Sequence, residues 1–198
     1  YKTYNKPNVK LVDVSETPID RILPSGIAHK GIEHQFDSIV FATGFDAMTG
    51  ALFNIDIRGR DGRSLKEKWD GGPQTYLGLT TNGFPNMFTV TGPGSPSVLT
   101  NMLPSIEQHV NFISDCISYM RENGHSKIEP ELEAELNWGV HVNEVADLSL
   151  RSTCASWYVG ANVPGKPRVF TPYIGGFPRY VERCKSVVAN GYEGFSLA

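Results

Sequence analysis

The chain has 198 residues, 40% of them hydrophobic and 20% charged, so it can bury a sizeable core and is neither disordered nor membranous by composition. With 18 Lys+Arg against 21 Asp+Glu the net charge is −3, which argues against the clustered cations of a nucleic-acid binder. No apolar run approaches the ~20 residues of a membrane span, and three Cys without a C-x-x-C pair disfavour a zinc site or a disulfide scaffold and point to the reducing cytoplasm.

Tyr1-Lys2-Thr3-Tyr4 offers neither a starting Met nor an apolar signal core, and reads as a cut inside a longer polypeptide. Val9–Val14 alternates with period two and predicts a strand. Ile19–Ile22 and Gly26–His29 predict two more around the turn residues Pro24-Ser25-Gly26, giving a small antiparallel meander. Ile39-Val40-Phe41-Ala42 is an unbroken apolar run that stops at Gly44. Such a run suits a central parallel strand buried on both faces, with ligands met at its carboxyl end. An ordinary buried strand ending in a turn is the alternative.

Asn54–Arg58 predicts a strand, Gly59–Gly62 a tight turn, and Ser64 the cap of a short helix. Tyr76–Leu79 and Asn86–Thr91 are further strand candidates around the turn Thr81–Pro85. The loop Thr91–Ser97, rich in Gly and Pro, leads into a helix. There Ile106, Val110, Ile113, Ile117 and Met120 fall on one face, and Gly124 stands at the carboxyl end. A second helix is expected from Pro130, with Leu132, Leu136 and Val140 inward. A glycine loop before a helix directs amides and a positive dipole end toward an anionic group; a connection with no ligand fits as well. His109 and His141 lie in these helices without a second ligand in view and read as structural, so no metal site is expected.

Phe41-Ala42-Thr43-Gly44-Phe45-Asp46 resembles a segment of flavin monooxygenases that bind two dinucleotides. Gly92–Ser97 with Asn101-Met102-Leu103, His141–Asp147, Ser156–Arg168, Tyr173–Phe177 and Gly191–Phe195 extend the likeness. Together these stretches resemble the carboxyl-terminal part of Baeyer–Villiger monooxygenases, notably the phenylacetone-, cyclohexanone- and steroid-oxidising members.

That resemblance implies an α/β fold: the carboxyl-terminal part of a flavoprotein with Rossmann-like FAD and NADP domains. Residues 1–36 are then the end of the NADP-binding domain and 37–198 the carboxyl-terminal half of the FAD-binding domain. It implies FAD and NADP as cofactors, O2 and a ketone as substrates, and an ester or lactone formed through a C4a-peroxyflavin. A related enzyme oxidising N or S atoms, or a fragment acting only as a binding module, are the alternatives. Ala42, Thr43 and Gly44 match the seam between the dinucleotides, Met102 a position beside the flavin and the substrate, and Trp157 a tryptophan that approaches NADP. Ser97, Val98, Leu99 and Met102 match the ketone pocket. Without the resemblance, Met102 reads as core and Trp157 as a half-buried loop aromatic. Lys166 and Arg168 read as a solvated pair within reach of a phosphate. The family's F-x-G-x-x-x-H fingerprint and G-x-G-x-x-G loops are absent from the sequence. Its catalytic arginine and aspartate fall outside the matched stretches, so no catalytic residue is assigned in this chain, and the rest of the same flavoprotein is its expected partner.

Overall fold

A computed structural model describes residues 1–96 and 100–198. The chain divides into two compact units, residues 1–43 and 44–198.

The first unit is built on an antiparallel meander of β1 (Arg21–Leu23), β2 (Gly26–His29) and β3 (Ile32–Gln35). Its register pairs Ile22 with Ile27 and Ile27 with His34. Gly26 has φ +153°, and a Cβ there would overlap the His34 carbonyl, so this register needs glycine. Buried His29 donates from Nε2 to the Thr17 carbonyl at 2.9 Å. Two expected strands do not form. Val9–Val14 and Ile39–Ala42 carry no regular structure, and Val40 and Phe41 are exposed. A strand buried on both faces needs hydrogen-bonded neighbours and two covering layers; the described residues supply neither to Ile39–Ala42.

The second unit mixes helices with a two-stranded sheet. In chain order it contains α1 (Gly50–Phe53), α2 (Leu65–Lys68), α3 (Met102–Glu122), β4 (Ile128–Pro130), α4 (Leu132–Asp147), α5 (Phe177–Ala189) and β5 (Phe195–Leu197). β4 and β5 pair antiparallel. Ser64 caps α2 in a reciprocal box with Glu67, as its sequence position implies. α3 ends at Gly124, φ +72°, where the His125 amide donates to the Met120 carbonyl at 2.8 Å and closes a Schellman motif. The strands expected at Tyr76–Leu79 and Asn86–Thr91 are instead turn and irregular segments, and Asn54–Arg58 contributes only a single bridge, Arg58 to Ser64. Pro130 ends β4, and α4 begins at Leu132.

The core sits between α3, α4 and α5 and the Tyr76–Leu79 turn, with Phe112, Trp138, Tyr173, Tyr180 and Tyr192 fully or nearly buried. Both long helices turn a different face inward from the one their aliphatic residues suggest. α3 buries Ser105, His109, Phe112, Cys116 and Met120, while Ile106, Val110 and Ile117 are 36–47% exposed. α4 buries Glu135, Trp138, Val142 and Ala146, while Leu132, Leu136 and Val140 are 47–57% exposed. In each case the inward stripe carries an aromatic anchor and an ionisable residue that finds partners inside. Phe112 meets Tyr192 edge-on at 5.8 Å, and Trp138 donates to the Gly94 carbonyl at 3.0 Å. Cys116 and Cys184 behave as small apolar residues whose burial pushes their thiols up to about 11, whereas Cys154 is exposed. No helix among the described residues is long and apolar enough to cross a membrane.

Candidate functional site

The Gly/Pro loop before α3 is held by its own polar groups. The Thr91 amide donates to His109 Nδ1 at 2.9 Å, the Gly94 amide to the Thr171 carbonyl at 2.7 Å, and Ser95 donates both from its amide and from Oγ to the Gly92 carbonyl. Thr75 Oγ1 donates to the Pro93 carbonyl at 2.6 Å. A Cβ on Gly94, φ +82°, would stand 2.8 Å from Thr75 Oγ1. These glycines therefore serve close backbone packing. The Thr91, Gly94 and Ser95 amides already have acceptors, on His109, Thr171 and Gly92, so these three are not the anion donors that a glycine loop before a helix suggests.

His109 is fully buried. Its Nδ1 accepts from Thr91, which leaves Nε2–H to donate to Tyr180 Oη at 2.9 Å; that hydroxyl donates in turn to the Leu77 carbonyl at 2.7 Å. Burial lowers the His109 pKa to about 4, so the ring is neutral in the fold. The structural reading of this histidine is thus correct, and its partners are now assigned. His141 is exposed on α4, close to Trp138 and Tyr173.

Trp157 begins a short 3-10 turn, Trp157–Val159. Its ring stacks on Tyr158 at 4.4 Å, and Tyr158 stacks on Phe170 at 5.8 Å. Trp157 remains half-buried. Beside it Ser156 Oγ is buried and has no hydrogen-bond partner among the described residues. Thr171 joins this turn to the glycine loop: its amide donates to the Tyr158 carbonyl at 2.8 Å while its own carbonyl accepts from Gly94.

The same loop is fastened to the segment that begins at Gly44. Asn162 Nδ2 donates to the Phe45 carbonyl at 2.7 Å, and Lys166 Nζ donates to the Ala47 carbonyl at 3.1 Å and pairs with the Asp46 carboxylate. The Lys166 side chain is only 13% exposed. It is therefore not the solvated lysine its sequence context suggests, and its charge is already matched. Of the residues singled out from sequence, the fold brings together the neighbourhoods of Gly44, the Gly92–Pro96 loop and Trp157. Met102 opens α3, half-buried, behind the cap Asn101, whose Oδ1 accepts the Leu103 amide at 3.1 Å. Ala42 and Thr43 belong to the first unit. Ser97, Val98 and Leu99 lie outside the described residues.

Two buried carboxylates were not legible as a pair. Glu135 on α4 binds Lys68 Nζ at 2.7 Å and accepts the Asn82 amide at 2.8 Å. Glu129 on β4 accepts the Gly83 amide at 2.6 Å and pairs with Arg60. Together they clamp the Thr81–Pro85 turn. A sequence signal did exist, since Asn82-Gly83 is a turn with adjacent free amides, but nothing in the pattern names its acceptors. No group of three or more potential metal ligands occurs among the described residues. A groove of about 560 Å³ lined by Trp138, His141, Tyr173, Arg179 and Arg183 includes His141 but none of the residues matched to a cofactor or to the ketone.

With this geometry in place, comparison with known proteins shows what the chain is similar to. The chain is homologous, over its whole length, to part of the flavoprotein monooxygenases of the Baeyer–Villiger type. It is 45% identical over 199 residues to the acetone monooxygenase (methyl acetate-forming) of Gordonia sp. (strain TY-5), covering all of this chain and 37% of that protein. It is 39% identical over 198 residues to a phenazine N-monooxygenase of Lysobacter antibioticus, covering all of this chain and 36% of that protein. A closed crystal structure of cyclohexanone monooxygenase matches with a TM-score of 0.90 at 43% identity, over all of this chain and 37% of that one. The structure of an OTEMO complex with FAD and NADP matches with a TM-score of 0.85 at 41% identity, over all of this chain and 36% of that one. The chain thus spans little more than a third of the length of the relatives it matches. No family model matches it.

Proposed function

We propose that this chain is the carboxyl-terminal part of an FAD- and NADPH-dependent monooxygenase of the cytoplasm that converts ketones to esters or lactones. The carrying observation is the likeness over every residue of the chain, in sequence and in fold, to enzymes of that type. Residues 1–36 fit the end of an NADP domain and 37–198 the later half of an FAD domain. When bound, the two cofactors would supply hydride and activated O2: the ketone gains one oxygen atom, the other leaves as water with the NADPH hydride and a proton from solution, and NADPH becomes NADP+.

The residues present fit these groups unevenly. Trp157 offers a large half-exposed ring beside the orphaned Ser156 hydroxyl, which suits the polar edge of NADP. Met102 offers a soft thioether at the start of α3, suited to an aromatic ring such as flavin. Ala42, Thr43 and Gly44 fit the seam between the dinucleotides, and Ser97, Val98 and Leu99 the ketone pocket with Met102. The Thr91, Gly94 and Ser95 amides do not fit as flavin donors, because they already donate to His109, Thr171 and Gly92.

The test is the whole flavoprotein with NADPH, air and a panel of cyclic, aryl and short-chain ketones. The expected result is ester or lactone in step with NADPH consumed. Absence of ester or lactone from a flavin-loaded sample overturns the reading. The phenazine N-monooxygenase among the relatives favours one second reading, oxygen transfer to a ring nitrogen; N-oxide formation without ketone oxidation selects it.

Two substitutions probe the site. Trp157→Ala should raise the KM for NADPH about tenfold, the order of one hydrogen bond plus partial stacking, with FAD retained. Unchanged NADPH kinetics remove Trp157 from the site. Met102→Ala or Leu99→Ala should change which ketones react, or which ester isomer forms, without releasing FAD; product distributions by gas chromatography decide this.

A further inference from the structure

We propose that Asp46 and Lys166 are positioning residues, a charge clasp that sets the loop carrying Trp157 against the segment after Gly44 and so fixes where that loop meets NADP. The inference rests on the function proposed above for its link to NADP, but the clasp itself stands on geometry alone.

The clasp is built from three ties within one compact unit. Lys166 pairs with Asp46. The same ammonium donates to the Ala47 carbonyl at 3.1 Å. Asn162 donates to the Phe45 carbonyl at 2.7 Å. All three join residues 44–47 to residues 162–166, more than a hundred positions apart in sequence.

Both charged partners are seated on glycine. A Cβ on Gly50 would stand 2.7 Å from Asp46 Cβ and 2.9 Å from its Cγ, so a larger residue there displaces the carboxylate. A Cβ on Gly160, φ +68°, would stand 3.2 Å from both Lys166 Cγ and Cδ and 2.9 Å from the Pro167 carbonyl. The lysine stem therefore lies across the residue that closes the Trp157–Val159 turn. Its side chain is 13% exposed against 40% for Asp46, so the pair is partly desolvated and stronger than a pair in free solvent. The Trp157 turn is thus held from two sides, by the clasp on one and by Thr171 and the aromatic stack on the other.

The experiment uses the whole flavoprotein with Lys166→Met, Asp46→Asn, and the exchanged pair Asp46→Lys with Lys166→Asp. Two quantities are read: protease cleavage within residues 150–170 without NADP, and KM for NADPH against kcat and FAD content. Each single variant should speed cleavage and raise KM about tenfold, the factor that loss of a partly buried ion pair represents, with FAD content and kcat little changed. The exchanged pair should recover most of both. Cleavage and KM unchanged in both single variants overturn the clasp. Faster cleavage with unchanged KM overturns its positioning role. Failure of the exchanged pair to recover either quantity also overturns the charge pairing. A wild-type protein that does not use NADPH at all overturns the function proposed above, and the cleavage measurements still decide the clasp.

Discussion

Lys68→Met should lower stability by about 3 kcal/mol at pH 7.5, or roughly 10 °C in Tm. The Glu135 side chain is fully enclosed and that of Lys68 nearly so, at 0% and 8% exposed. Removing the ammonium leaves a carboxylate with only the Asn82 amide for company. Burial already pushes the Glu135 carboxyl above its ordinary range, against the pull of Lys68 and Asn82. A carboxyl whose folded pKa is raised contributes stability that is present below its unfolded pKa and is lost as pH rises through the folded one. The defect of Lys68→Met should therefore be largest at neutral pH and shrink as the sample is acidified through the carboxylate range. Thermal unfolding of wild type and variant across pH 4.5–8 measures this, and an equal loss at every pH removes the account.

The second large effect concerns His109 and runs the other way. Its folded pKa of about 4 lies below the 6.5 of an unhindered histidine because burial disfavours the cation. Stability from this group is complete above the unfolded value and is lost as pH falls from 6.5 toward 4, since the unfolded chain takes the proton first. The gap corresponds to about 3 kcal/mol at the acid end. His109→Gln keeps an acceptor for Thr91 and a donor for Tyr180 but cannot titrate, so it should flatten stability between pH 6.5 and 4.5. An unchanged slope in the variant assigns the acid sensitivity elsewhere.

His109 and Glu135 also explain which parts of the fold the sequence conceals. Turns and caps are legible because their cause is local: Pro24-Ser25-Gly26 closes the β1–β2 hairpin, Ser64 caps α2 through Glu67, and Gly124 ends α3. Helix existence is legible from periodicity. Helix orientation is not, because an aliphatic stripe competes with one that holds a ring and a polar residue. Ile106, Val110 and Ile117 make the cleaner pattern, yet Phe112 and His109 go inside because Tyr192 and Tyr180 receive them. Those partners lie seventy or more residues away. The strand at Ile39–Ala42 fails for a related reason: its apolar run is real, and no described neighbour pairs with it.

The neighbourhood proposed for NADP shows the same division. Trp157 and the Gly/Pro loop stand out by motif, and Gly44 by its place after an apolar run. What joins them is carried by main-chain atoms and by residues with no signature: Thr171, Asn162, and the pairing of Asp46 with Lys166. Lys166 in Pro164-Gly165-Lys166 invites a phosphate reading, and only the fold reveals that an acid 120 positions earlier has claimed it.

Thr171 couples two loops through the amide and carbonyl of one residue. Replacing its side chain deletes only the extra Oγ1 donation to Tyr158, so an alanine scan passes over this joint without noticing it. Only a change to the backbone itself, such as proline, which has no N–H to give, uncouples the aromatic turn from the glycine loop.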